Sequence, residues 1–233
     1  MERHSEVEQG IKTERGSETE RYSETQKKRK RKLTLRMMAR ELLEHFRKSF
    51  SFLAEHPRMR RRMAVLGGIS AGAYLVSMML QEYLVTLGLQ ENLVGIPLFL
   101  ISLFSAAGAF LGERSGKVKS RTVAWIGGSL TGATIIACGA GRLLPVVLAA
   151  GVACCMNEMT ALRLENENQQ EAVSSIRATV ISVGSMSYSI WMAALSPLCG
   201  AAAKVFSVPA AFLGLGLMVI GLSCWYAAAE GRK

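Results

Sequence analysis

The chain has 233 residues, half of them hydrophobic, and a net charge of +10. Through Arg62 it carries 18 Lys plus Arg against 10 Glu, whereas the rest holds 10 Lys plus Arg against 8 Glu. Long charge-free blocks, such as Val205 to Ala229, exclude the ordinary soluble class, because an apolar helix of about 20 residues matches a bilayer core of about 30 Å.

Residues 1–32 read as a disordered charged tail. They hold three imperfect copies of E-R-x-S-E ("ERHSE", "ERGSE", "ERYSE"), irregularly spaced, and almost nothing to bury. There is no apolar h-region and so no secretory signal in this stretch. The tail ends in "KKRKRK". Beside membrane spans, such a cluster fits anionic cytoplasmic lipid better than nucleic acid, and no nucleic-acid partner is expected.

Residues 33–57 predict a basic amphipathic cytoplasmic helix. Ala39, Leu42, Leu43, Phe46, Phe50 and Leu53 follow the i, i+3, i+4 rhythm of one face, with Arg36, Arg40, Glu44, Arg47 and Lys48 mainly opposite. Pro57 is expected to end it.

Residues 58–233 predict an all-α integral membrane domain of six transmembrane helices. The spans fall at about 63–87, 92–112, 122–141, 143–163, 176–202 and 205–229. Arg58, Arg60, Arg61 and Arg62 place the start of span one in the cytoplasm, "ERSGKVKSR" returns inside, and the C-terminal "EGRK" is basic. The expectation is a multi-pass protein of the cell membrane with both termini cytoplasmic. The link "RLENENQQEAVSSIR" fits poorly, since its acids outnumber its bases on the predicted inside. Gly68 with Gly72, Gly108 with Gly112 and Gly128 with Gly132 are spaced for close helix packing.

The five cysteines all lie in apolar runs and read as small buried hydrophobes. Adjacent Cys154 and Cys155 lack metal-ligand spacing, and no metal or cofactor is expected. Cys138 falls at the outer end of span three. A serine enzyme built on "VGSMS" needs a base beside the nucleophile, yet His4, His45 and His56 all precede the spans and no lysine lies mid-span. No catalytic residue is assigned, and the chain is not expected to be an enzyme.

Several motifs share one order. "AFLGERSGKVKSR" matches a G-x-L-A-D-R-x-G-R-K loop by type at Leu111, Glu113, Arg114, Gly116 and Lys117, with Ala109 and Val118 departing. Asn166 or Asn168 precedes Arg177, Ala178, Thr179, Val180, Ile181 and Ser182, and Ser196, Pro197, Leu198 and Gly200 follow. "HPRMRRRM", "LQEYLVTLGL" and "VGIPLFL" complete the series. Over about residues 36–230 the chain resembles the C-terminal six-helix half of a major facilitator superfamily transporter. Lys204 stands where that pattern often has an acid. The resemblance implies half of a twelve-helix secondary transporter that moves a small solute by alternating access. It also implies a truncated product or a need for a separate N-terminal six-helix half.

Intramembrane polar residues are the candidate substrate contacts: Asn157 and Glu158 in span four, Gln81 in span one, and Tyr188 and Trp191 in span five. Glu158 either lines the solute path or carries a proton, or else sits at headgroup depth. Gln81 and Glu82 equally suit a snorkelling end position. Glu113, Arg114, Gly116, Lys117 and Arg177 form the loop-motif set, where an acid and an arginine can pair at a helix end and Gly116 permits a tight turn. Ser182, Ser185, Ser189 and Ser196 make one helical stripe that either lines a cavity, bonds a neighbouring helix, or returns to its own i−4 carbonyls. The substrate itself is not legible. The competing reading is a non-transporting membrane scaffold that homodimerises through its exposed face.

Overall fold

The structure is a computed structural model and describes Ser51 and residues 56–172 and 177–231. The charged tail, nearly all of the predicted amphipathic helix, Ser174, Ser175 and the end of "EGRK" lie outside the described residues. Everything described belongs to one compact unit, Ser51–Lys233.

Six α-helices follow one another among the described residues, and no strand occurs among them. They are α1 (Pro57–Thr86), α2 (Gly95–Arg114), α3 (Ser120–Ala137), α4 (Leu143–Glu171), α5 (Arg177–Val205) and α6 (Val208–Gly231). Pro57 opens α1 at its first turn, where a missing N–H costs nothing, so the helix starts before the apolar run does. At the other end of α1, Gly88 takes φ +94°. The Leu89 N–H reaches the Leu84 carbonyl at 3.1 Å, and the Gly88 N–H reaches Val85 at 3.0 Å. That pair of bonds is a Schellman stop, and it needs a residue that tolerates left-handed backbone.

Four helical stretches are long and apolar enough to cross a membrane: Pro57–Thr86, Glu91–Arg114, Leu143–Glu171 and Val208–Gly231. The helices α3 and α5, richer in hydroxyls and glycines, do not reach that apolar level. Large apolar side chains such as Phe99, Leu144, Ile190, Leu198 and Phe206 stand exposed. In water so much outward apolar surface would aggregate, whereas lipid accepts it. The described residues are all-helical, with four helices suited to crossing a membrane.

The central helix is α1. It packs on α5, α6 and α4, while α2 lies against α4 and α3 is held between α4 and α6. Val65, Ile69, Leu80 and Leu84 of α1 are fully buried with Ile135, Val146, Leu164, Phe212 and Val219. Helices run alternately up and down. The starts of α1 and α5 meet the end of α4 through Met59, Met63, Val180, Val183 and Ala172. The end of α1 meets the start of α6, where Tyr83 and Phe212 sit edge to face at 5.5 Å.

Hydrophobic transfer does little to bring helices together inside lipid, so close backbone contact must do so. All three glycine pairs serve that end. A Cβ on Gly68 or Gly72 would strike Leu222 or Val219 of α6. One on Gly108 would enter the Cys155 backbone of α4, and one on Gly132 would come within 2.6 Å of the Gly216 carbonyl on α6. Three of the cysteines, Cys138, Cys155 and Cys199, are buried as read, but Cys224 is exposed on α6.

Candidate functional site

A groove opens along one side of the bundle. Its floor is α1, one wall is the α2–α4 pair and the other is α5. Two adjoining cavities of about 490 and about 280 Å³ make it up, and they share Ser70, Glu165 and Tyr188. Helical spacing builds each wall. Ser70, Ala73, Tyr74, Ser77 and Gln81 recur on one face of α1, and Asn157, Glu158, Ala161, Leu162 and Glu165 on one face of α4.

Four of the five candidate substrate contacts come together here. Gln81, Asn157, Glu158 and Tyr188 all line the larger cavity. Glu158 is half-buried and Gln81 is exposed in the groove. Asn157 is only 8% exposed, and its Oδ1 meets no hydrogen-bond donor among the described residues. The Tyr188 ring sits edge to face with Tyr74, centroids 6.3 Å apart. The fifth, Trp191, turns away. Its indole N–H donates to the Ala64 carbonyl of α1 at 2.8 Å, so it joins helices and does not line the groove.

The serine stripe of α5 resolves into backbone bonds. Ser182 donates to Ala178 at 3.0 Å, Ser185 to Ile181 at 3.3 Å, and Ser189 to Ser185 at 3.0 Å. Ser185 and Ser189 still face the smaller cavity with their lone pairs, while Ser196 is exposed. The serine that reaches across to α1 is Ser187, outside that stripe, donating to the Met63 carbonyl at 3.2 Å.

Two groups of residues escaped the sequence reading. Glu165 lines both cavities, but its place in the acid-rich "RLENENQQE" made it look like part of a link. The α4 helix in fact continues to Glu171. The second group explains why. Arg62, 5% exposed, donates to Asn168 at 3.1 Å and to Glu171 at 3.0 Å, and lies 3.3 Å from Glu167. Arg163 pairs with Glu167 at 2.7 Å and donates to the Val118 carbonyl at 3.1 Å. Arg61 meets Glu230 of α6 at 3.3 Å. Glu167 and Glu171, acids that fitted the predicted inside poorly, are therefore partners of Arg62 and Arg163. The i, i+4 spacing of Arg163, Glu167 and Glu171 was the available signal.

The loop-motif residues stay apart from this network. Arg114 covers the Phe110 ring at 4.0 Å, and Glu113 and Arg177 are exposed. Gly116 lies in a 3-10 turn, Ser115–Lys117, without a positive φ, and a Cβ there would meet nothing within 4 Å. The turn does not require glycine. The Lys117 side chain is outside the described residues.

No protein-family profile matches the chain, and no curated protein matches it.

Proposed function

We propose that the chain is a six-span membrane protein of the cell membrane, the second half of a secondary transporter of the major facilitator type, and that the groove is its share of a solute path. The observation that carries this reading is the groove itself. Glu158, inside span four, stands in a face that is open among the described residues, and Glu165 follows it where the span meets its charged end. A carboxylate within the hydrocarbon costs up to about 2.5–3.5 kcal/mol on permissive scales. Such a face calls for water or another polypeptide over it, which is the position of a missing six-helix half. The packing of α3 between α4 and α6 supports six spans, since a helix covered by neighbours need not be as apolar as one bathed in lipid. The basic ends of α1, α3 and α6 and the network around Arg62 support a cytoplasmic location for both termini.

Uptake by liposomes tests this. The full chain is reconstituted alone and together with the membrane proteins that co-purify with it, and uptake of labelled sugars, amino acids and organic cations is measured. Uptake that needs a second six-span polypeptide is the expected result. Uptake by the chain alone overturns the half-transporter reading. A stable homodimer that transports nothing in either preparation supports the scaffold reading instead.

A further inference from the structure

We infer that the groove is a binding site for an organic cation of drug size, held by Glu158 and Glu165 with the unengaged Oδ1 of Asn157. The inference deepens the solute-path reading and rests on it. Two carboxylates seven residues apart on α4 lie about 10 Å apart along the helix, the length of a groove-filling molecule. Among the described residues, no Lys, Arg or His lines either cavity. Among the described residues, Arg62 and Arg163, next in sequence to the groove-bearing stretches of α1 and α4, already meet Glu167, Glu171 and Asn168.

The neutral groups favour a cation as well. Asn157 is more than nine-tenths buried, and its acceptor atom has no donor among the described residues. A buried acceptor in that condition costs about 1–3 kcal/mol until a donor arrives. Four hydroxyl protons of the wall are already engaged. Ser77 donates to Ala73 at 3.1 Å, Ser102 to Leu98 at 2.9 Å, and Ser185 and Ser189 to their own helix. What these serines turn to the groove is lone pairs. The Tyr74 and Tyr188 rings add faces of negative potential to which a desolvated cation is drawn. A neutral sugar needs donors as well as acceptors, and an anion needs donors alone. The donors on this wall, such as Gln81 and Ser70, are all neutral, and beside two carboxylates they give an anion no counter-charge. The larger cavity, about 490 Å³, lies in the size range of pockets for drug-sized ligands.

The test is equilibrium binding of tetraphenylphosphonium to the full chain in nanodiscs of uncharged lipid, with tetraphenylborate as the size-matched anion. The cation is expected to bind saturably and the anion not. Glu158→Gln with Glu165→Gln should weaken the cation at least about tenfold. Asn157→Asp adds a third negative charge to the wall, so it should bind as well as the parent or more tightly. Unchanged binding by a monodisperse double variant overturns the inference, and so does equal affinity for the anion. If the double variant aggregates, Glu165→Gln alone, at an exposed position, carries the same comparison. Saturable cation binding without uptake in either liposome preparation, alone or with the co-purifying proteins, sinks the transport reading and leaves this site standing. Uptake of a neutral sugar undiminished by Glu158→Gln sinks the cation site and leaves the transport reading.

Discussion

The Arg62 guanidinium, buried at the start of α1, donates to the Asn168 amide oxygen near the end of α4 at 3.1 Å. The two residues are 106 positions apart in the chain, and Glu167 and Glu171 complete the same cluster at 3.3 and 3.0 Å. Removing one member of a buried pair strands the other charges. Arg62→Met should therefore cost about 3 kcal/mol, the low end for such a loss because Glu171 is half exposed. Thermal unfolding in detergent checks this, and Arg62→Lys should recover part of the loss. A variant as stable as the parent would remove the cluster from the account of what holds α1 to α4.

Close helix contact makes a second prediction. Gly108 faces the Cys155 backbone, which cannot swing aside as a side chain can. Gly108→Ala should lower stability by about 1–3 kcal/mol through overpacking. Gly116→Ala, with open space around it, should be neutral within about 0.5 kcal/mol. Equal melting temperatures for the two would contradict the α2–α4 contact.

Trp191 separates packing from binding. Its bond to Ala64 is expected to contribute about 1 kcal/mol. Trp191→Phe should destabilise the bundle by roughly that amount and leave tetraphenylphosphonium binding unchanged. A lost ligand affinity in a stable Trp191→Phe protein would return the indole to the groove.

Thiol reactivity reads both burial and field. In detergent, Cys224 should react with a small maleimide before unfolding, whereas fully buried Cys138 should react only after it. Labelling at the C-terminal end of α3 therefore requires an introduced cysteine. Ser70→Cys, in a chain with the native cysteines replaced, should react faster with a cationic methanethiosulfonate than with an anionic one, because Glu165 shares its cavity. An anionic reagent that reacts faster at that site would count against an acidic groove.

The helical class was legible from the apolar runs alone, because charge is so costly in lipid that each crossing leaves its length in the sequence. The close-packed faces were legible too, since glycines four apart serve the same purpose in any bundle. Gln81, Asn157, Glu158 and Tyr188 were individually visible as polar groups in apolar surroundings. Their meeting in one groove was not, because it depends on which face each helix turns to its neighbours. The mobile quantity in such a reading is rotation about the helix axis, and hydropathy without a clear moment says little about it.

Composition and spacing by themselves determined that this chain makes apolar helices, roughly where they lie and that its positive charge gathers ahead of the first of them. Only tertiary structure decided that α4 runs on to Glu171, that the acids there partner Arg62 and Arg163, and that Trp191 binds a helix while Glu165 enters the groove. The physical reason is range. Apolar length and local turns are properties of consecutive residues, whereas a buried charge or an unpaired amide is settled by groups that the chain delivers from a hundred residues away.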